Sequence, residues 1–111
     1  MKIIYIAHPV GAGTKEGIEA NLADLRRIIK KVNLETKNII PFCPYYADVV
    51  SMDDNNSLER KRGIMNDTKV LKSGIIDELW LTGDRVSKGM TEELELCMRL
   101  GIKIVDKIKQ L

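Results

Sequence analysis

The chain has 111 residues, 44% of them hydrophobic and 31% charged, with 18 Lys and Arg against 16 Asp and Glu. That length supports one core and a single domain over 1–111, and the composition excludes a disordered or collagen-like chain. A net charge of +2 is too balanced to require a nucleic-acid polymer or a membrane surface as partner. No apolar run approaches the roughly 18 residues of a membrane span. The apolar start, Ile3 to Ala7, meets a polar turn too soon for a signal peptide, so a cytoplasmic location is expected. Cys43 and Cys97 read as free thiols. With a single histidine they make no metal-ligand spacing, and neither a metal nor another cofactor is expected.

In chain order, residues 2–7 (KIIYIA) are β-branched and aromatic and predict a buried strand. His8, Pro9, Gly11 and Gly13 break it. Ile18, Leu22, Leu25, Ile29 and Val32 then recur at helical spacing, which predicts a helix over 15–32. Residues 38–42 predict a short strand, and 43–46 a loop containing Pro44, Tyr45 and Tyr46. The segment 47–56 reads as irregular, with room for a short helical piece. A second helix is expected over 57–72, with Gly74 as its stop. A third strand follows over 77–82, a loop over 83–89, and a third helix over 90–100 ending at Gly101. A fourth strand over 102–105 and a tail or short helix complete the chain.

Strands alternating with helices, and strands apolar throughout, predict a parallel sheet covered on both faces. The expected fold is a small, doubly wound, flavodoxin- or Rossmann-like open sheet of about four strands in order 2-1-3-4, with helices on both faces. In such sheets ligands bind beyond the carboxyl ends of the strands. That rule selects the loops 8–14, 43–56 and 83–90.

Three polar residues lie out of phase on the helices. Glu93 falls between Met90 and Cys97 on the apolar side of its helix, where a carboxylate is costly unless paired or used; the plain alternative is a stripe-edge Glu reaching water. Asp67 sits at the edge of the stripe Ile64, Met65, Thr68 and Leu71, where an ion pair with Arg60 or Lys69 would be the structural explanation. Asn21, between Ile18 and Leu25, reads best as a hydrogen bonder to a neighbouring loop. The Gly11-Ala12-Gly13 loop offers backbone N–H groups near a helix start but is weak as a dinucleotide fingerprint, since Glu16 stands at its third glycine position. Ser87-Lys88-Gly89 reads equally as a helix cap or an anion site. His8 has no nucleophilic partner nearby in sequence and reads as a substrate contact or a loop hydrogen bonder.

Three stretches together resemble the nucleoside 2-deoxyribosyltransferase superfamily, nearest in motif to its 2'-deoxynucleoside 5'-phosphate N-hydrolases. Ile4-Tyr5-Ile6-Ala7-His8-Pro9 resembles the family's first strand and turn, with His8 where that pattern has Gly. Asn66-Asp67 resembles its helix-borne Asp. Ser87 to Leu94, with Gly101 after it, resembles its catalytic segment. The resemblance implies that Glu93 is a nucleophile toward the anomeric carbon of a (deoxy)ribosyl group. It implies that Tyr5 hydrogen-bonds Glu93 and that Asp67 serves the departing base. Ser87, with the Gly89 and Met90 backbone, would hold the 5' end, and Cys43, Pro44 and Tyr45 would face the base. It also implies a homo-oligomer, expected as a dimer. Ser87 stands where transferases often carry an acid, which points to hydrolysis or mere binding over transfer.

The expected function is therefore N-glycosidic cleavage of a nucleotide or nucleoside. The alternative is a catalytically silent nucleotide-binding or sensing module on the same fold. A receiver domain needs an acidic pair after the first strand, where this chain has His8-Pro9. A flavin site needs a run of hydroxyls that the first loop lacks.

Overall fold

Strand β1 (Lys2–Ala7) lies at the centre of a four-stranded sheet in the computed structural model, which describes all 111 residues. It pairs in parallel with β2 (Ile39–Phe42) on one side and β3 (Glu78–Leu81) on the other. β4 (Lys103–Asp106) extends the sheet beyond β3, again in parallel. The order is β2-β1-β3-β4, as the alternation of strand and helix predicts.

Right-handed crossovers in that order place α1 (Lys15–Glu35) on one face. They place α3 (Ser57–Lys72) and α4 (Lys88–Leu100) on the other. Side chains of β1 alternate accordingly. Ile4 and Ile6 turn toward α1, Tyr5 and Ala7 toward α3 and α4, and all four are buried. Ile28, Leu25 and Val32 of α1 meet the first set; Leu79, Met90 and Cys97 join the second. Burying each large apolar side chain contributes about 1.5–3 kcal/mol, so the two-sided central strand anchors the fold.

Several boundaries differ from the sequence reading, each for a local reason. α1 continues past 32 because the Asn33 amide donates back to the Ile29 carbonyl instead of breaking the helix. It stops at Thr36, whose N–H and hydroxyl both donate to the Val32 carbonyl. The segment expected to be irregular contains α2 (Tyr45–Ser51), started by Pro44. α4 begins at Lys88 rather than 90, because Ser87 caps it. Of the two readings of the last residues, tail or short helix, the helix does not form; they make a turn. The Lys107 N–H donates to the Leu81 carbonyl and its ammonium lies 5.0 Å from the Trp80 ring centre.

Two glycines are required by geometry. Gly101 ends α4 in the left-handed region at φ 74°. Gly83, at φ +92°, follows β3 so closely that a Cβ there would stand 2.8 Å from Pro9 Cδ. β2 carries Pro41 in its middle. The Lys2 N–H donates to the Asn38 carbonyl, so the ladder uses residues 38, 40 and 42 and leaves position 41 facing outward. No helix is long and apolar enough to cross a membrane.

Candidate functional site

The carboxyl ends of β1, β2 and β3 open into a cavity of about 540 Å³. Its walls come from α2, α3 and α4, and its floor includes His8, Val10 and Gly11. Of the residues singled out from the sequence, His8, Gly11, Tyr45, Asp67, Ser87, Gly89, Met90 and Glu93 line it.

Glu93 stands one turn into α4, between the buried Met90 and Cys97, and is half-buried. Burial pushes its carboxyl up to about 7, Tyr5 pulls it down, and the neighbouring charge of Glu92 adds to the rise. Asp67 faces the same cavity from α3. Burial pushes its carboxyl up to about 8, with the charges of Glu93 and Asp48 raising it further. Its Oδ1 is buried without a hydrogen-bond partner, and Asp67 forms no ion pair with Arg60 or Lys69. Two carboxyl groups thus share one low-polarity space. Each is held toward its neutral form, and the charge of one opposes ionisation of the other.

Tyr5 lies behind this pair, wholly buried in β1, and does not line the cavity. Its phenol is pushed well above its ordinary pKa by burial and by the charges of Glu93 and Asp67. It lies near enough to favour the ionised Glu93, yet makes no hydrogen bond of standard geometry. Its ring packs on Tyr45, with centroids 6.0 Å apart, and the Tyr45 hydroxyl donates to the Ile6 carbonyl at 2.6 Å. Tyr45 therefore presents its ring, not its hydroxyl, to the cavity.

Ser87 acts as a helix cap: its Oγ accepts the Met90 N–H at 3.2 Å. The Lys88 and Gly89 N–H groups at the start of α4 have no intrahelical partner, and both residues line the cavity at the end of the helix where its dipole is positive. His8 is buried and committed on both sides, its Nδ1 2.7 Å from the Pro9 carbonyl and its Nε2 2.8 Å from Asp24 of α1. It borders the cavity and ties the first loop to α1. Asn21 donates to the Val10 carbonyl at 2.9 Å, the loop contact expected for it.

Four other sequence candidates do not reach the cavity. Pro9 is buried beneath Gly83, and Gly13 is exposed ahead of the Thr14 cap of α1. Pro44 is used to start α2. Cys43 packs against the core, where burial pushes its thiol up to about 11; Cys97, also buried, is pushed up to about 11. Neither thiol is a thiolate nucleophile at neutral pH. No group of three or more His, Cys, Asp or Glu side chains is placed to hold a metal ion.

The structure adds Asp48, Val49 and Met52, from α2 and its end, which the sequence reading passed over, and it brings Arg60 and Thr68 of α3 and Lys88 and Arg99 of α4 to the cavity as well. Reading 45–52 as a helix would have found the first group. Tyr45, Asp48, Val49 and Met52 fall at i, i+3, i+4 and i+7 and share one face.

A family model described as a domain of unknown function (DUF7768) matches residues 2–107. No curated protein matches the chain. The match takes in all four strands, all four helices and every residue of the cavity, and the chain belongs to the DUF7768 family.

Proposed function

We propose that this protein cleaves the base–sugar bond of a nucleotide or nucleoside, with Glu93 as nucleophile and Asp67 as acid. The observation that carries this reading is the Glu93–Asp67 pair. Two carboxyls from different helices face one cavity, and their proton affinities are raised to about 7 and about 8. Between about pH 7 and pH 8 the pair holds close to one proton, which is the state a retaining glycosidic reaction needs.

The ionised Glu93 carboxylate attacks the anomeric carbon as the carbon–nitrogen bond breaks. The base leaves with the bonding electron pair and takes the proton from Asp67. A water then attacks the anomeric carbon of the glycosyl ester, giving its proton to the Asp67 carboxylate. Glu93 departs as a carboxylate and the sugar carries a new hydroxyl. Tyr5, beneath Glu93, favours the charged form that begins and ends the cycle. The oxocarbenium-like transition state is stabilised by the same negative charge. The open amides of Lys88 and Gly89 suit an anionic 5' end. The cavity volume of about 540 Å³ lies in the range of small-ligand sites.

The test is product formation. Purified protein is incubated with ribo- and deoxyribonucleosides and their 5'-monophosphates, and free base is followed by chromatography beside Glu93→Ala. Free base lost in the variant supports the reading. A nucleotide that raises the melting temperature without releasing base would replace it with a binding module. Enzyme at micromolar concentration should also run as a dimer if the oligomer implied by the family resemblance forms, which sedimentation would read directly.

A further inference from the structure

The cavity has two chemically different sides. β2 and β3 flank β1, so the elements that follow them, α2 and α4, enter from opposite sides. The α4 side offers the unpartnered amides and the Lys88 side chain. The α2 side offers Tyr45, Val49 and Met52, aromatic and apolar surfaces that suit a flat ring, and of the carboxylates at that end Asp48 is the one carried on α2 itself.

Asp48 is half-buried and belongs to no ion pair. Its only side-chain donor is the Asn66 amide, 3.4 Å from each carboxylate oxygen. These are long contacts that leave most of the carboxylate's acceptor capacity unused. Asn66 is itself oriented, because Arg62 Nε donates to its Oδ1 at 3.1 Å and so turns the amide nitrogen toward Asp48. Gly63 keeps the flank clear; a Cβ there would stand 3.7 Å from Asp48 Cβ and 3.9 Å from Oδ2. Of the other acids at this end, Asp53 accepts the Asn55 N–H and Glu59 accepts the Asp53 N–H, while Asp54, beyond the end of α2, lacks the bracing amide that Asn66 gives Asp48. Asp48 is thus a braced acceptor with spare acceptor capacity on both oxygens, set among surfaces that fit a ring.

A carboxylate is matched best by two adjacent parallel N–H donors. Among the standard bases only guanine carries such an edge, a ring N–H beside an amino group. Adenine and cytosine set a ring acceptor beside the amino group, and uracil and thymine flank their N–H with carbonyls. We infer that Asp48 is a specificity-determining residue that reads the base through a pair of adjacent N–H donors and selects guanine. The inference rests on the nucleotide reading of the cavity and names the base for it.

The experiment compares guanosine and inosine 5'-monophosphates, in ribo and deoxy forms, since hypoxanthine differs from guanine only by lacking the amino group. Binding is measured by equilibrium dialysis and free base by chromatography, on the wild type and on Asp48→Asn. The wild type is expected to prefer guanine by about tenfold or more, and Asp48→Asn to bring the ratio within about threefold. A wild type that treats both bases alike overturns the inference without any variant, so it stays testable if Asp48→Asn folds poorly. A preference that survives in well-folded Asp48→Asn also overturns it. Base release without selectivity removes the role of Asp48 and leaves the glycosidase. Selective binding without release keeps that role and removes the glycosidase. Neither binding nor release overturns both.

Discussion

Replacing Glu93 by Gln should stabilise this protein, and do so more at alkaline than at acid pH. The wild-type carboxyl rises from an ordinary 4.5 to about 7 in the folded chain, chiefly because it is buried. Between those two values the folded state holds a proton that the unfolded chain has released. Stability therefore falls as pH rises from about 4.5, and levels off above about 7. A rise of about 2.5 units at about 1.4 kcal/mol each amounts to a cost of about 3 kcal/mol once Glu93 is ionised. At pH 5 less than about 1 kcal/mol of that cost is present. Gln fills the same space with no charge to desolvate, so it removes the cost. For a chain of this length each kcal/mol moves the melting temperature by about 4 °C. The advantage of Glu93→Gln over wild type should therefore grow by about 10 °C between pH 5 and pH 8.5, read by calorimetry or dye-monitored melting in matched buffers. Parallel curves for the two proteins would refute the claim that Glu93 is held above its ordinary range, whatever substrate the protein takes.

Three further outcomes are expected. Base release should peak between about pH 7 and pH 8, falling on the acid side as Glu93 gains a proton and on the alkaline side as Asp67 loses one; Asp67→Asn should lower the rate by about 10²–10⁴ and abolish the alkaline fall, and an unchanged alkaline limb would remove Asp67 as the acid. Tyr5→Phe takes away the phenol that holds the Glu93 pKa down, so the acid limb should move to higher pH; at pH 5, where Glu93 is protonated in both proteins, losing a hydroxyl that has no partner should not lower the melting temperature, and a static acid limb would show that Tyr5 does not act on Glu93. Gly83→Ala should cost about 1–3 kcal/mol and several degrees of melting temperature, since the position needs a positive φ and lies against Pro9; a melting temperature equal to wild type would contradict the packing described between β3 and the first loop.

The sheet order and the helix faces were legible because each rests on a repeated signal. The apolar strands 2–7 and 77–82 and the stripe Ile18, Leu22, Leu25, Ile29 and Val32 are periodic, and the right-handed crossover rule converts them into an order. Glu93 and Asp67 were visible as charges out of phase with such stripes. Residues 45–51 were harder, since seven residues give under two helical turns and the apolar members, Tyr45 and Val49, are spaced by a single turn. Missing that helix hid Asp48, and Cys43 and Pro44, which the family resemblance set against the base, are used for packing and for starting α2. Asn33 shows the opposite error. A residue that usually favours helix ends bonds inside the helix, because Thr36 closes α1 more firmly.

Pro41 has a consequence for how copies of this chain can meet. It occupies the outward-facing position of the outermost strand, where any other residue would present an N–H to an arriving strand. With that donor missing at the middle of so short an edge, β2 is a poor template for continuing the sheet into a neighbour, and runaway strand addition is suppressed at that margin. A dimer would then avoid the β2 margin, and the helices offer it apolar surface. The exposed Ile64 and Met65 of α3 and Met98 and Leu100 of α4 are the apolar side chains such a contact would draw on, beside the same two helices that carry Asp67 and Glu93.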